Sequence, residues 1–336
     1  MIDTVKIDIG MQLSQQEIDS VPWTDIKEDP NTNTVFCRLF DTKDKSVPRI
    51  TYTYKKDSEK GWMKVEVSIP HYMYGSNVYE ITPADIKHFY RKLRKHLAYQ
   101  LRLRLSDIPR IEQCEVEKLH VCHNFKVDNH LEAYLRILSS ISLPGYKPTT
   151  YCAKGSRQPE SVIWKQGKSI IKFYNKFAEV HQKDKSPDHA QHLCDAKGLL
   201  RFEVELTDYE MRQKSSHRLV GELLDPAYAR KILKQKLSQL GVDQPIKASS
   251  MESMLDLINR ADMGGKSKNA LIGFLTRMKF EGEGACRRAF SKSRSSFHSH
   301  YNKLNKLLGT DKIVFSDIDL PPLKLKKRDK KRTALT

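Results

Sequence analysis

The chain contains no Cys-x-x-Cys pair. Its six cysteines, at positions 37, 114, 122, 152, 194 and 286, are scattered. This excludes the usual spacing of a structural zinc site and a disulfide framework, and most are expected to be buried thiols. No apolar run approaches the roughly 18 residues of a membrane span, and no signal-peptide apolar segment follows Met1. No membrane association is expected, and the location is read as cytoplasmic. The sequence has no repeat of solenoid period, no G-x-x-x-x-G-K loop, no G-x-S-x-G elbow and no dinucleotide fingerprint. Lys154-Gly-Ser-Arg157 is a basic turn that suits phosphate but is too short for a P-loop.

Positive charge is abundant. Formal charge is +18 over 336 residues, and 39% hydrophobic content is enough to fill a core. Lys324–Arg332 holds seven cations and one anion, so +6 lies there and +12 is spread over the body. A basic body as well as a basic tail points to a polyanion, most often nucleic acid.

Strand patterns cover 34–41, 49–55 and 62–69, followed by a Tyr-Gly-Ser-Asn turn at 74–77. Thr82 as N-cap and Pro83 at the first position open a helix, with Phe89, Leu93, Leu97 and Leu101 on one stripe. A strand at 116–125 and a helix near 128–141 come next. Strands at 149–153, 160–165 and 168–175, a helix at 177–184, a polar loop at 184–197 and a strand at 199–206 follow. The expected class is α+β, a mostly antiparallel sheet with helices on one face over residues 1–207. An all-α region is expected at 208–312, then a basic tail at 313–336. Near 268–308, two short helices and a longer one opened by Ser-Arg-Ser-Ser read as a helix-turn-helix. Arg287, Arg288, Lys292 and Arg294 cluster around its turn as DNA contacts. Phe297, Tyr301, Leu304 and Leu307 would pack inward. An ordinary three-helix cap is the competing reading.

Chemistry centres on Lys172-Phe-Tyr174-Asn-Lys176. Alternation on a strand puts Lys172, Tyr174 and Lys176 on one face. A phenol with a pKa of about 10 is a poor nucleophile unless positive charge favours the phenolate. Flanking lysines would supply that charge and hold a phosphate. A tyrosyl phosphodiester keeps the energy of the cleaved bond, so a strand can be rejoined without ATP. The competing reading is a half-buried strand aromatic. Cleavage also needs charge on the phosphate offset, which Mg²⁺ or Mn²⁺ can do on oxygen and imidazole ligands. Strand candidates are Glu203 and Glu205 (on one face with Arg201), Glu66 and His120. His120 and His123 point to opposite faces and cannot share a metal. A core histidine and a structural Arg201–Glu203 pair stay open.

These segments together resemble the filamentous-phage gene II/X type of replication initiator. The resemblance runs through MIDTVKI, VEVSIPHYMYGSNVYEI (65–81), KLHVCHNF (118–125), KGSRQPESVIWK (154–165), IIKFYNKFAE (170–179), LLRFEVEL (199–206) and IDLPPL (318–323). It covers nearly the whole chain, and order and spacing carry it rather than one motif. It implies a rolling-circle initiator: a site-specific single-strand endonuclease and joining enzyme acting at a phage or plasmid origin, in the bacterial host cytoplasm, through a 5′-phosphotyrosine. Carried over by position, Tyr174 of Y-x-K-x-x-E is the nucleophile, with Tyr151 in reserve, and Lys176 is its phosphate or phenolate partner. Glu203 of R-x-E is a metal ligand and Arg201 its neighbour. Lys172 and Arg157 are expected on DNA. Implied partners are double- and single-stranded origin DNA and the host helicase and polymerase, with a homo-oligomer left open. Where the family often has Arg-x-Asp, this chain has Lys118 and His120. Position 120 thus either offers imidazole in place of carboxylate or holds no metal. A non-catalytic origin-binding or repressor protein is the alternative function.

Overall fold

A computed structural model describes the chain except residues 40–45, 57–59, 142, 157, 247–250, 291–292, 309–312, 314, 316–318 and 326–336; the side chains of 284, 285 and 294 are also left aside. Arg157, Lys292 and most of the basic tail therefore lie outside the described residues, as does the Arg294 side chain.

Ten strands form one antiparallel sheet: β1 (Ile2–Asp8), β2 (Asp25–Asp29), β3 (Thr34–Leu39), β4 (Arg49–Lys55), β5 (Gly61–Ser68), β6 (Glu115–Lys126), β7 (Lys147–Cys152), β8 (Pro159–Gln166), β9 (Ser169–Asn175) and β10 (Leu199–Glu205). Their order is β2-β3-β4-β5-β1-β6-β10-β9-β8-β7. The α+β expectation holds, with strand bounds close to those read from alternation. Two strands escaped that reading. In β1, Ile2 pairs with Val121 and Val5 with Leu119, so three residues oppose two. This bulge breaks the period of two and puts Asp3 on the face opposite Ile2 and Val5. The sequence of β2, DIKED, is charged because it is an edge strand, and charge deters pairing with other chains.

The early helices are α1 (Gln15–Ser20), α2 (Ile69–Tyr74), α3 (Pro83–Gln100), α4 (Leu131–Ser140), α5 (Lys176–Lys183) and α6 (His189–Ala196). Helix α3 starts where expected, with Asp85 Oδ2 accepting from the Thr82 amide at 2.6 Å. Its Phe89, Leu93 and Leu97 are fully buried against the sheet. The expected loop at 184–197 is corrected by α6. Histidines hid its period, yet His192 and Ala196 are buried, and His192 Nδ1 lies 2.7 Å from Asp184 Oδ2.

That pair predicts an acid transition. Burial pushes the Asp184 carboxyl up, but bonds from the Ser186 amide and His192 overcome it and hold the pKa at about 2. The stabilisation is complete above the unfolded value of about 3.8 and is lost as pH falls through 2. Asp184→Asn should therefore lower Tm by a constant amount above about pH 5 and by a shrinking amount below it; thermal melts across acidic pH measure this.

The remaining helices are α7 (Asp208–Lys214), α8 (Val220–Leu223), α9 (Pro226–Leu240), α10 (Met251–Arg260), α11 (Gly265–Glu281), α12 (Glu283–Ala289) and α13 (Arg294–Leu308). The buried apolar residues of α7, α8 and α9 join the sheet core, whereas α10–α13 bury a second core of Met254, Ile258, Phe274, Phe297 and Leu304. Phe297 and Leu304 point inward as expected, with Tyr301 and Leu307 partly buried beside them. The chain then returns to the first core. Leu320 and Leu323 are 2% exposed, Leu320 bridges Ile246, and the Leu323 amide donates to Val242 O. Leu320→Ala or Leu323→Ala should cost about 2–5 kcal/mol, read as a lower denaturation midpoint of the sheet core in urea.

Candidate active site

Strand register assembles the site. Cross-strand pairs put Arg201 beside Asn124 and Tyr174, and Glu203 beside Cys122 and Lys172. Leu200, Phe202 and Val204 fill the core behind them. One face of β6, β9 and β10 is thus apolar, and the other carries His120, Lys172, Tyr174, Arg201, Glu203 and Glu205.

Glu203 is the hub. Its Oε1 lies 3.0 Å from His120 Nδ1 and 3.2 Å from Lys172 Nζ, and its Oε2 accepts from Tyr174 Oη at 3.2 Å. Glu205 Oε2 approaches His120 Nε2 at 3.1 Å, off the direction a hydrogen bond needs. Burial pushes the Glu203 carboxyl up, but the His120 bond and the charges of Lys172, His120 and Arg201 hold it well below the usual range. His120 responds in the opposite sense: burial lowers it, and the two glutamates more than reverse that.

Arg201 is fully buried. Its Nη2 lies 3.1 Å from Asp3 Oδ1, and its Nη1 donates to Asn77 O at 2.7 Å and to Asn124 Oδ1 at 3.3 Å. The structural pair open from sequence is therefore Arg201–Asp3 rather than Arg201–Glu203. Lys176, also buried, donates to Asn77 Oδ1 at 2.5 Å and to Glu179 Oε2 at 2.7 Å. Strand β9 ends at Asn175, so Lys176 opens α5, yet its ammonium still stands 6.0 Å from the Tyr174 ring centre.

The expectation that Lys172 and Lys176 favour the Tyr174 phenolate is not met in this arrangement. Each faces a carboxylate. Burial is the largest influence on the phenol and pushes it well above its ordinary value; Arg201 pulls it down, and Glu203, Glu179 and Asp3 add to the rise. Tyr151 lies on the same face two strands away, through Ser161, and is 55% exposed on edge strand β7. Glu66 stands apart on β5, 4.0 Å from Lys118.

Ligand atoms of Asp3, His120 and Glu203 all lie within 4.8 Å of one another, and all three residues are buried. Two carboxylates and an imidazole suit Mg²⁺ or, with the nitrogen, Mn²⁺. The residues present thus fit a divalent cation. The sequence reading found His120 and Glu203 and missed Asp3, because the bulge hides which way it points.

The expected DNA contacts at α11–α13 differ in availability. Arg287 is tied to Glu283 at 2.9 Å and stacked over Phe297 at 4.6 Å, whereas Arg288 is exposed. Among the described residues no helix is long and apolar enough to cross a membrane.

Comparison with known proteins adds the family. No curated protein matches the chain. Among solved structures, the di-domain ARO/CYC BexL of the BE-7585A biosynthetic pathway is 11% identical, covers 64% of this chain and 76% of its own, and has a TM-score of 0.19. DynU16, from the dynemicin biosynthetic locus, is 10% identical over 70% of this chain and 93% of its own, with a TM-score of 0.15. Scores this low carry no argument. The family model for the N-terminal part of the phage replication-associated gene II protein matches residues 1–224, which contain the entire sheet and every residue of the polar cluster. The chain therefore belongs to the gene II type of phage replication initiators.

Proposed function

We propose that the chain nicks and rejoins one DNA strand at an origin, with Tyr174 as nucleophile. The observation that carries this is the contact of Tyr174 Oη with Glu203, in a cavity of about 380 Å³ that both residues line with Lys172 and Ser161. In the reaction, Tyr174 Oη bonds to phosphorus as the P–O3′ bond breaks. The phenol proton passes to Glu203 and on to solvent, and the 3′ oxygen takes a proton from water. The 5′ phosphate stays on Tyr174 until a 3′ hydroxyl reverses the step. Lys172 holds a phosphate oxygen once it releases Glu203. Arg201, beside Tyr174 on the neighbouring strand, offsets the charge of the phenolate. A divalent cation held by Asp3, His120 and Glu203 would supply Lewis-acid charge to the scissile phosphate.

The helices α11–α13 are assigned to duplex origin DNA in a helix-turn-helix manner, supported by the exposed Arg288 and the basic sequence around 287–294. Arg157, Lys292 and Arg294 are proposed phosphate contacts on sequence grounds alone. Host helicase and polymerase are the partners this role requires.

The test is relaxation of a supercoiled plasmid carrying the cognate origin. Mn²⁺ or Mg²⁺ should support nicking, and a chelator should abolish it. Asp3→Asn should raise the metal concentration needed by at least about tenfold, the usual cost of weakening a metal site's ligands. Sequence-specific binding with no nicking under any metal would instead favour an origin-binding repressor.

A further inference from the structure

The Tyr-Gly-Ser-Asn turn after α2 has no part in the chemistry above, yet its last residue touches both buried cations. Asn77 accepts from Lys176 through its side-chain Oδ1 and from Arg201 through its main-chain oxygen. A lysine ammonium has only protons to give. The Asn77 amide must therefore turn its oxygen to Lys176, which fixes its NH₂ group on the other side. Among the described residues no protein acceptor takes those two hydrogens.

The cavities around the turn show where that NH₂ can bind. One of about 200 Å³ lies over β4 and β5 beside Arg49 and His71. A second, of about 530 Å³, lies beside Lys183 and Lys185. The third, of about 380 Å³, holds Tyr174. Asn77 and Glu179 line all three. Glu179 is already engaged by Lys176 at 2.7 Å and Lys183 at 3.6 Å. Asn77 is left as the junction residue with donors in reserve, half-buried and next to the nucleophile's neighbours.

We propose that the Asn77 side-chain NH₂ donates to an anionic phosphodiester oxygen of the DNA strand in this groove, next to the linkage presented to Tyr174. The proposal rests on the nicking reading for its substrate, but binding alone can test it. A neutral amide suits this junction because it can accept from Lys176 and donate to phosphate at once. Neither a carboxylate nor an ammonium can do both.

The probe is a labelled, mixed-sequence single-stranded oligodeoxynucleotide, with chelator present so that no cutting occurs. Asn77→Asp keeps an acceptor for Lys176 but replaces the donors with negative charge. It should bind at least about tenfold more weakly than the native protein, as expected when a charge-assisted hydrogen bond turns to repulsion, with Tm little changed. The deficit should shrink as salt rises, since screening weakens the repulsion. Binding within twofold of native overturns the proposal. A second measurement does not depend on how the variant folds. In native protein labelled with ¹⁵N-asparagine, the Asn77 NH₂ resonance, identified by its absence in Asn77→Asp, should move when the oligonucleotide is added. A resonance that stays in place at saturating DNA also overturns it. If the native protein binds the probe through Asn77 but neither nicks a plasmid carrying the cognate origin nor forms a covalent adduct with origin DNA when metal is added, the nicking reading fails and this one stands.

Discussion

Tyr174→Phe is expected to bind single-stranded DNA as the native protein does and to form no covalent adduct with it. The substitution removes one oxygen. The ring keeps its place in β9, and Glu203 keeps its contacts with His120 and Lys172. Stability should change by no more than about 1 kcal/mol, the net value of one hydrogen bond. The activity should fall at least about a thousandfold, because covalent enzymes without their nucleophile lose everything except binding and electrostatic assistance. The measurement is a gel assay for protein-linked DNA after denaturation, with Mn²⁺ present. Tyr151→Phe is the control. Tyr151 is largely exposed, and no described residue of the polar cluster holds its hydroxyl. An adduct that survives in Tyr174→Phe and disappears in Tyr151→Phe would transfer the role to the edge strand. The raised pKa of Tyr174 makes a further demand on the mechanism. A phenol this buried, facing carboxylates, is held protonated. Metal bound at Asp3, His120 and Glu203 would remove part of the negative field around it. Under the proposed function, Tyr174 would then be quiet in the free protein and roused by metal, which suits an enzyme that must not cut at random.

How far the sequence discloses this site depends on whether a residue acts through its strand period or through a break in it. Lys172 and Tyr174 alternate with Ile171 and Phe173, and Arg201, Glu203 and Glu205 alternate with Phe202 and Val204. Faces and neighbours follow from that period alone. Helix α3 was equally legible, since Thr82, Pro83 and a four-residue apolar stripe each mark the same element. Asp3 was not, because the bulge in β1 reverses its face. Asn77 was visible as a turn residue, but half its role lies in a main-chain oxygen that no side-chain pattern encodes. The pairing of Lys172 with Glu203 and of Lys176 with Glu179 was also hidden. Sequence spacing placed both ammonium groups near the phenol without saying that carboxylates meet them first.

Arg201→Met should unfold the protein far more readily than Tyr174→Phe, by about 3–5 kcal/mol, because it removes one partner of a buried ion pair. Asp3 would remain 4% exposed with the Ser68 hydroxyl at 3.3 Å on its Oδ1, and Asn77 O and the Asn124 amide oxygen would lose their shared donor. Methionine fills much of the volume, so the loss reports charge and hydrogen bonding rather than a cavity. The double variant Asp3→Asn/Arg201→Met distinguishes the two contributions. If the cost is mainly the stranded carboxylate, neutralising Asp3 should return roughly 1 kcal/mol or more, the coupling energy of residues in direct contact. If the double variant is as unstable as the sum of the singles, the cost lies in the unmet acceptors instead. Urea midpoints of the four proteins decide between these. The same cycle bears on the metal. Asp3 cannot give full charge to both Arg201 and a cation, so Arg201→Met at low temperature, where it still folds, should bind Mn²⁺ more tightly than the native protein. Weaker binding in that variant would instead mean that Arg201 holds Asp3 in ligand position, and that the buried pair is part of the metal site's scaffold.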